Sequence, residues 1–347
     1  MNNGTDRNAS GKSVGIKDVA QAAGVSITTV SHALNDKGRL SDATRERVRA
    51  VARRLGYQPN ATARHLAGGR TGLIELVLNA KITQMFVTEG LTFHARVMAV
   101  AAATCIENGY SLALAGTAQP GRTPDVRPDG VLGIDPVVGE PIWERLDALG
   151  VPVVTIGRIL DRDESTNWVD NDHRASARLV FKHLSERGAK RIALIGTDLE
   201  ASFEHEIRSE YDRWCAERGQ AAEVVLAQAE FLETAGEVAL RQLMDLPEPP
   251  DAVFATASRL AIGVLRACKD MSIAVPEEMM LVAGNDNQLA LWAQPPFTTV
   301  DVAPEVIGRR SVELLIEKIE AQGEPDGPVI VPVRLIERES TARTRVD

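Results

Sequence analysis

The stretch GVSITTVSHALN, from Gly24 to Asn35, combines short hydroxyl side chains with an isoleucine and an imidazole at helical spacing. Ile27, Thr28, Ser31 and His32 fall on one face, and Val30, Ala33 and Leu34 on the other. Side chains that are short, or that end in groups able to meet base edges, crowd the N-terminal half of this segment. That half of a recognition helix is the part that enters the major groove of DNA. No comparable constellation suggests catalysis. The chain has no GxSxG elbow, P-loop or HExxH motif, and no spacing of Asp and Glu singles out a pair. The three cysteines, Cys105, Cys215 and Cys268, are far apart and match no metal-ligand spacing. They read as buried thiols. His65 and His94 are lone by pattern, and the six histidines are expected on surfaces or in the groove. No catalytic residue, metal site or cofactor is assigned.

The elements that must position the recognition face can be read locally. IKDVAQAAG puts Ile16, Val19, Ala20 and Ala23 on one side of a first helix, and Gly24 supplies the positive φ that ends it. Ser26 is a natural N-cap for the second helix. Small residues at Ala20 and Gly24 are expected to let the two helices cross closely. A third helix is capped by Ser41, lined by Val48, Val51, Ala52 and Leu55, and ended by Gly56; its outer faces carry Arg45, Arg47, Arg49, Arg53 and Arg54. Beyond it, Pro59 and Asn60 open a short segment that closes at Gly68 and Gly69, with Ala63, Leu66 and Ala67 as an apolar stripe. A helix of about eight residues is unstable alone in water. The stripe suits a segment that folds when paired with its twin on DNA.

Charge supports the division. Residues 1–70 hold 12 Lys and Arg against 5 Asp and Glu, whereas residues 71–347 hold 27 against 43. A basic small domain is therefore joined to an acidic large one, and a polyanion should dock at the basic end. The 347 residues, 44% hydrophobic, suffice for two or three domains with a buried core. No apolar run reaches the roughly 18 residues of a membrane span, and the polar start lacks a signal-peptide core, so a cytoplasmic location is expected.

IKDVAQAAGVSITTVSHALN followed by RLSDATRERVRAVARRLGYQPNATARHLAGGRTGLI resembles the headpiece and hinge of the lactose-repressor (LacI/GalR) family of bacterial transcription regulators. The resemblance implies base-reading roles for Ile27, Thr28 and His32, and phosphate contacts for Ser26, Ser31, Asn35, Ser41, Thr44, Tyr57 and Asn60. It further implies that Leu66, with Ala67 beside it, wedges into the minor groove and kinks the operator. The implied partners are a pseudo-palindromic double-stranded operator, a second copy of the chain and a small-molecule effector such as a carbohydrate derivative. No leucine heptad follows Glu337, which argues against a tetramerisation helix.

Residues 71–347 read independently as α/β, because apolar runs at 72–78, 110–116, 129–134, 151–157, 191–196, 251–256 and 280–284 alternate with helical segments. The resemblance resolves this into two Rossmann-like lobes of periplasmic-binding-protein type. Three crossovers are expected near Arg158, Gln288 and Pro325. The organisation is then a tail (1–13), a helix-turn-helix headpiece (14–59), a hinge helix and linker (60–70) and an effector-binding and dimerisation domain (71–347). Within the last, lobe 1 takes 71–158 and 288–324, and lobe 2 takes 159–287 and 325–341. The implied effector contacts are Phe93, Arg158, Arg208, Phe231 and Asp286. The sequence departs from the family at Gly157, where an aspartate is usual, and at Ala257-Ser258, where an Asn-Asp pair is usual. The familiar arginine ahead of Tyr211 is either shifted to Arg208 or replaced by Ile207. The reading is an effector-controlled repressor; an enzyme with a DNA-binding cap and an exported sugar-binding protein are the alternatives.

Overall fold

A computed structural model describes residues 14–34, 38–57, 70–79, 81–83, 92–116, 127–148, 150–161, 167–228, 231–320 and 327–343. The chain divides into two compact units, with the boundary between Thr71 and Gly72. The first holds α1 (Ile16–Ala23), α2 (Ile27–Leu34) and α3 (Asp42–Leu55). Val19, Ala20, Ala23, Val30, Ala33, Val48, Val51 and Ala52 close a core among them. Gly24 adopts φ 64°, and its N–H caps α1 on the carbonyls of Ala20 and Gln21. A Cβ at Gly24 would meet nothing within 4 Å, so this glycine serves the left-handed turn rather than the expected close helix crossing.

The second unit is built on two six-stranded sheets. The first joins β1 (Leu73–Leu78), β2 (Ser111–Gly116), β3 (Gly130–Ile134), β4 (Val153–Ile156), β5 (Trp168–Asn171) and β11 (Val329–Val331) in the order β11-β5-β4-β3-β1-β2. All its pairs are parallel. The second joins β6 (Ile192–Thr197), β7 (Val224–Ala227), β8 (Ala252–Ala255), β9 (Met280–Ala283), β10 (Thr298–Asp301) and β12 (Arg334–Ile336) in the order β12-β10-β9-β8-β6-β7. Only β12 runs antiparallel, against β10. Parallel order requires crossover helices, and these residues supply them. α4 (Thr92–Glu107), α5 (Pro141–Ala148) and α11 (Pro304–Glu320) serve the first sheet. α6 (His173–Glu186), α7 (Ser202–Glu217), α8 (Leu232–Met244) and α9 (Ser258–Asp270) serve the second, and the short α10 (Gln288–Trp292) packs on α9. α8 and α9 pack so closely that a Cβ at Gly263 would lie 1.9 Å from the Glu233 carbonyl oxygen.

The sheets correct the expected crossovers. β5 belongs to the first sheet and β10 to the second, so the chain passes between lobes after Asn171, after Asp301 and between Val331 and Arg334, rather than near 158, 288 and 325. The reason is strand length. WVDN, TTVD and RLI are short and carry polar side chains, and VIV has only three residues, yet each completes a sheet edge or interior. One buried side chain ties the three passages together: Asn171 Nδ2 donates to the carbonyls of Val302 (3.2 Å) and Val331 (3.1 Å).

Candidate nucleic-acid interface and effector cleft

In the helical unit, Ser26 caps α2: its Oγ accepts the Thr29 N–H at 3.1 Å. The same arrangement recurs at α3, where Ser41 Oγ accepts the Thr44 N–H at 3.3 Å and pairs with the Thr44 hydroxyl at 2.9 Å. Each cap leaves an exposed serine beside a helix N-terminus, where free backbone N–H groups favour an anion such as phosphate. Ile27 and Thr28 project to solvent from the first turn of α2, while Ser31 and His32 are half-buried. The His32 ring lies against Gly38, where a Cβ would fall 2.6 Å from Nδ1. Arg45 does not join the outer arginines. Its guanidinium turns inward and donates to the carbonyls of His32 (3.3 Å) and Gly38 (2.9 Å), so it fixes the C-terminal end of the recognition helix. Tyr57 packs on the core of the three helices. Asn35, Asn60, Leu66 and Ala67 lie outside the described residues.

Between the two sheets of the large unit lies a cleft of about 1090 Å³, its open mouth included. Its position follows from the topology, since ligands of parallel α/β sheets bind beyond the carboxyl ends of the strands. Phe93, Ile82, Leu199, Phe203, Ile207 and Leu232 give it apolar walls. Polar groups converge between them. His94 Nε2 meets Asp135 at 2.6 Å, and His173 Nε2 meets Asp170 at 2.7 Å. Ser258 Oγ donates to Asn285 and accepts from Asn287 Nδ2 at 2.9 Å. Glu204 is buried in the cleft wall, and burial pushes its carboxyl up to about 7 against three favourable hydrogen bonds. Apolar walls with a few converging polar groups are the usual make-up of a small-molecule site.

Residues 15–60 match the family model described as bacterial regulatory proteins, lacI family, and residues 181–341 match a periplasmic binding protein-like domain. The transcriptional regulator CelR of Thermobifida fusca is 31% identical over 335 residues, covering 93% of this chain and 96% of CelR. The chain belongs to the lacI family of bacterial regulatory proteins. It is a DNA-binding transcriptional regulator. The repressor PurR of Vibrio atlanticus is 29% identical over 339 residues, covering 95% and 98% of the two chains. Among solved structures, a CelR–cellobiose complex matches with TM-score 0.69 and 28% identity over 94% of this chain and 99% of that one. A lac repressor dimer bound to operator and the anti-inducer ONPF matches with TM-score 0.78 and 22% identity over 95% and 99%, respectively, a likeness of fold.

Within this lacI-family fold, the five effector positions implied by resemblance do not come together. Phe93 lines the cleft; the other four stand outside its lining. Arg158 pairs with Glu206 and lies over the Trp168 ring. Arg208 is exposed on α7, while Ile207 faces the cleft, so the family arginine is replaced rather than shifted. Phe231, at the N-cap of α8, is 63% exposed, and its neighbour Leu232 points inward instead. Asp286 is held by Arg338 at 2.7 Å and by the Thr299 hydroxyl at 2.8 Å. Its neighbours Asn285 and Asn287 reach the cleft in its place. Gly157 adopts φ 92°, a conformation that strains the aspartate usual there.

His94 is paired in the cleft and His183 is buried against the Thr341 hydroxyl at 2.8 Å, which corrects the expectation that the histidines lie on surfaces or in the groove. Burial pushes the His183 imidazole below its usual range. The cysteines are buried and free, as read, with the thiols of Cys105 and Cys268 pushed up to about 11 and 12. Sequence reasoning missed Glu204, Asp170, Asn171 and His173. WVDNDH places three of them at a strand-to-helix junction, a signal available in the sequence; Glu204 is one of four glutamates between 200 and 210 and had none.

Proposed function

We propose that this regulator is a homodimeric repressor whose operator affinity is set by a small hydroxylated effector, of carbohydrate type, held in the cleft between the two sheets. The observation that carries the reading is the cleft itself: its walls come from both sheets, and the passages between them meet at the Asn171 side chain. An effector with different affinity for two lobe arrangements shifts their balance by that difference and no more. Two headpieces, presenting Ile27, Thr28 and His32 to base edges, would read a pseudo-palindrome in successive major grooves, with the paired Leu66 hinges in the minor groove between them. Large apolar side chains exposed along matching sheet edges support a dimer: Leu114 on β2 is 65% exposed and Leu226 on β7 is 46% exposed. With Ala257 and Ser258 in place of longer polar side chains, the cleft favours a ligand bulkier or less hydroxylated than a free hexose.

The CelR–cellobiose complex makes cellobiose the first probe. Calorimetry on the full chain should show cellobiose binding more tightly than glucose, and an electrophoretic shift assay should show operator affinity changing when it is added. Phe93→Ala should weaken that binding by about tenfold while leaving operator affinity without ligand intact. Ligand affinity unchanged by Phe93→Ala, or tight binding of plain hexoses, overturns the assignment.

A further inference from the structure

Among the described residues that line the cleft, Glu204 is the carboxylate with no ion-pair partner. Of the described histidines and arginines that line it, His94 bonds to Asp135, His173 to Asp170, and Arg259 pairs with Glu233 at 2.7 Å. Glu204 is left over. Its Oε1 accepts three hydrogen bonds, from the Thr197 N–H (2.9 Å), the Thr197 hydroxyl (2.7 Å) and the Thr256 hydroxyl (2.8 Å). Those two threonines end neighbouring strands β6 and β8, so the fold itself builds the seat. Oε2 receives no hydrogen bond from any described residue. It lies above Gly196, where a Cβ would come within 2.7 Å of it, so the glycine leaves space for this oxygen.

One oxygen of this carboxylate is thus saturated by donors, while Oε2 is not among the fully buried atoms without a partner and stays within reach of the cleft. The surroundings offer little counter-charge. The His173 ring lies near enough to bear on Glu204, but its Nε2 already meets Asp170. Nearby on α7, Glu206 adds negative charge that Arg158 answers; across the cleft, Lys81 meets Asp198 at 3.2 Å, and His94 and Asp135 answer each other. Among the described residues no side chain neutralises Oε2, and a cleft ligand can reach it.

We propose, resting on the cleft as the effector site, that Glu204 is its polar anchor and that the effector presents a cationic nitrogen to Oε2: an ammonium on a hydroxylated framework rather than hydroxyls alone. An ammonium supplies both the absent donor and the absent charge, and a hydrogen bond to an ionised group is the stronger kind. Because burial holds the carboxyl near 7, the binding-competent ionised fraction changes across neutral pH, and the apparent affinity changes with it.

The test compares matched probes on the full chain by calorimetry: sorbitol against 1-amino-1-deoxysorbitol, and cellobiitol against its 1-amino-1-deoxy derivative. These aliphatic amines stay protonated between pH 6 and 8. In each pair the amine should bind at least about tenfold more tightly. Its Kd should fall about tenfold from pH 6 to pH 8, as one ionising group near 7 dictates. Glu204→Gln should erase both the amine preference and the pH dependence. The wild-type pH profile needs no variant, so the proposal stays testable should Glu204→Gln fold poorly. No amine preference in either pair, or an affinity that falls with rising pH, overturns it. If Phe93→Ala weakens both members of a pair and Glu204→Gln neither, the cleft stands and the anchor falls. If neither substitution has an effect, the probes bind elsewhere and the cleft assignment falls as well.

Discussion

The headpiece and the cleft respond differently to the same kind of reading. In the headpiece, caps, breaks and inward-facing residues sit where spacing along the chain puts them: Ser26 and Ser41 cap, Gly24 and Gly56 terminate, and the apolar stripes close one core. In the cleft, positions transferred by resemblance mostly miss the cavity, and the groups that fill it come from separated strand ends. A helix face is fixed by neighbours three and four residues away, whereas a cleft wall is fixed by how two sheets are strung together. Local spacing therefore fixes a helix face more securely than resemblance fixes the lining of a cleft.

The sharpest way to break this comparison is to separate the two regions. Deleting residues 1–71 should abolish operator binding, while the remaining acidic fragment keeps its cleft ligand. In the intact protein, operator affinity should drop by about 10³ or more between 50 and 200 mM salt, as counterion release at several phosphates requires. A filter-binding titration checks both. Operator binding by the fragment would mean that the headpiece is not the DNA-reading element.

A second measurement bears on the cleft alone. Glu204 has a folded-state value near 7, well above the 4.5 of an unperturbed glutamate. Between these two values the folded protein holds a proton that the unfolded chain has lost, so stability falls as pH rises from about 5 to about 7. Full development of that shift corresponds to about 3 kcal/mol, to an order of magnitude. Chemical denaturation at pH 5 and pH 8 should show the large unit losing stability on this scale. Glu204→Gln should flatten the dependence and leave headpiece unfolding unaltered. Equal slopes in wild type and variant would remove Glu204 as the titrating group.

How much was legible follows from where each signal resides. Seven of the strands lie in the apolar runs, because LIELVL or MLVA is buried and announces itself. β5, β10 and β12 did not, since three- and four-residue strands that mix polar and apolar positions have no period to detect, and the apolar VVLA of β7 and VIV of β11 are too short to show one. Missing β5 and β10 displaced the first two lobe crossings, and with them the picture of which loops face the cleft. Arg45 illustrates the same limit within a helix. Spacing puts it outside with the other arginines, but its carbonyl partners belong to His32 and Gly38, at and beyond the C-terminal end of α2.

Asp286 gives the smallest and most discriminating test. Resemblance makes it an effector ligand, as does its place just beyond β9; in the structure its Oδ1 is occupied by Arg338 and by the Thr299 hydroxyl. Both ion-pair side chains are partly buried, at 17% and 28% exposure, so the pair joins the segment after β12 to the end of β9 rather than facing ligand. Asp286→Asn keeps the shape and one acceptor oxygen while removing the charge. It should cost about 1 kcal/mol of stability or less, the range of an ion pair that retains some solvent contact. Ligand affinity should stay within a factor of about two. Asn285→Ala, one residue earlier, removes a group that lines the cavity and accepts from Asn287 Nδ2 at 3.1 Å. It should weaken binding by about tenfold, the loss of one hydrogen-bonding partner. Calorimetry on the two variants side by side decides between them. A larger loss at Asp286 than at Asn285 would show that the contact set transferred by resemblance is the working one, and that the cleft closes over ligand in a way that brings Asp286 in.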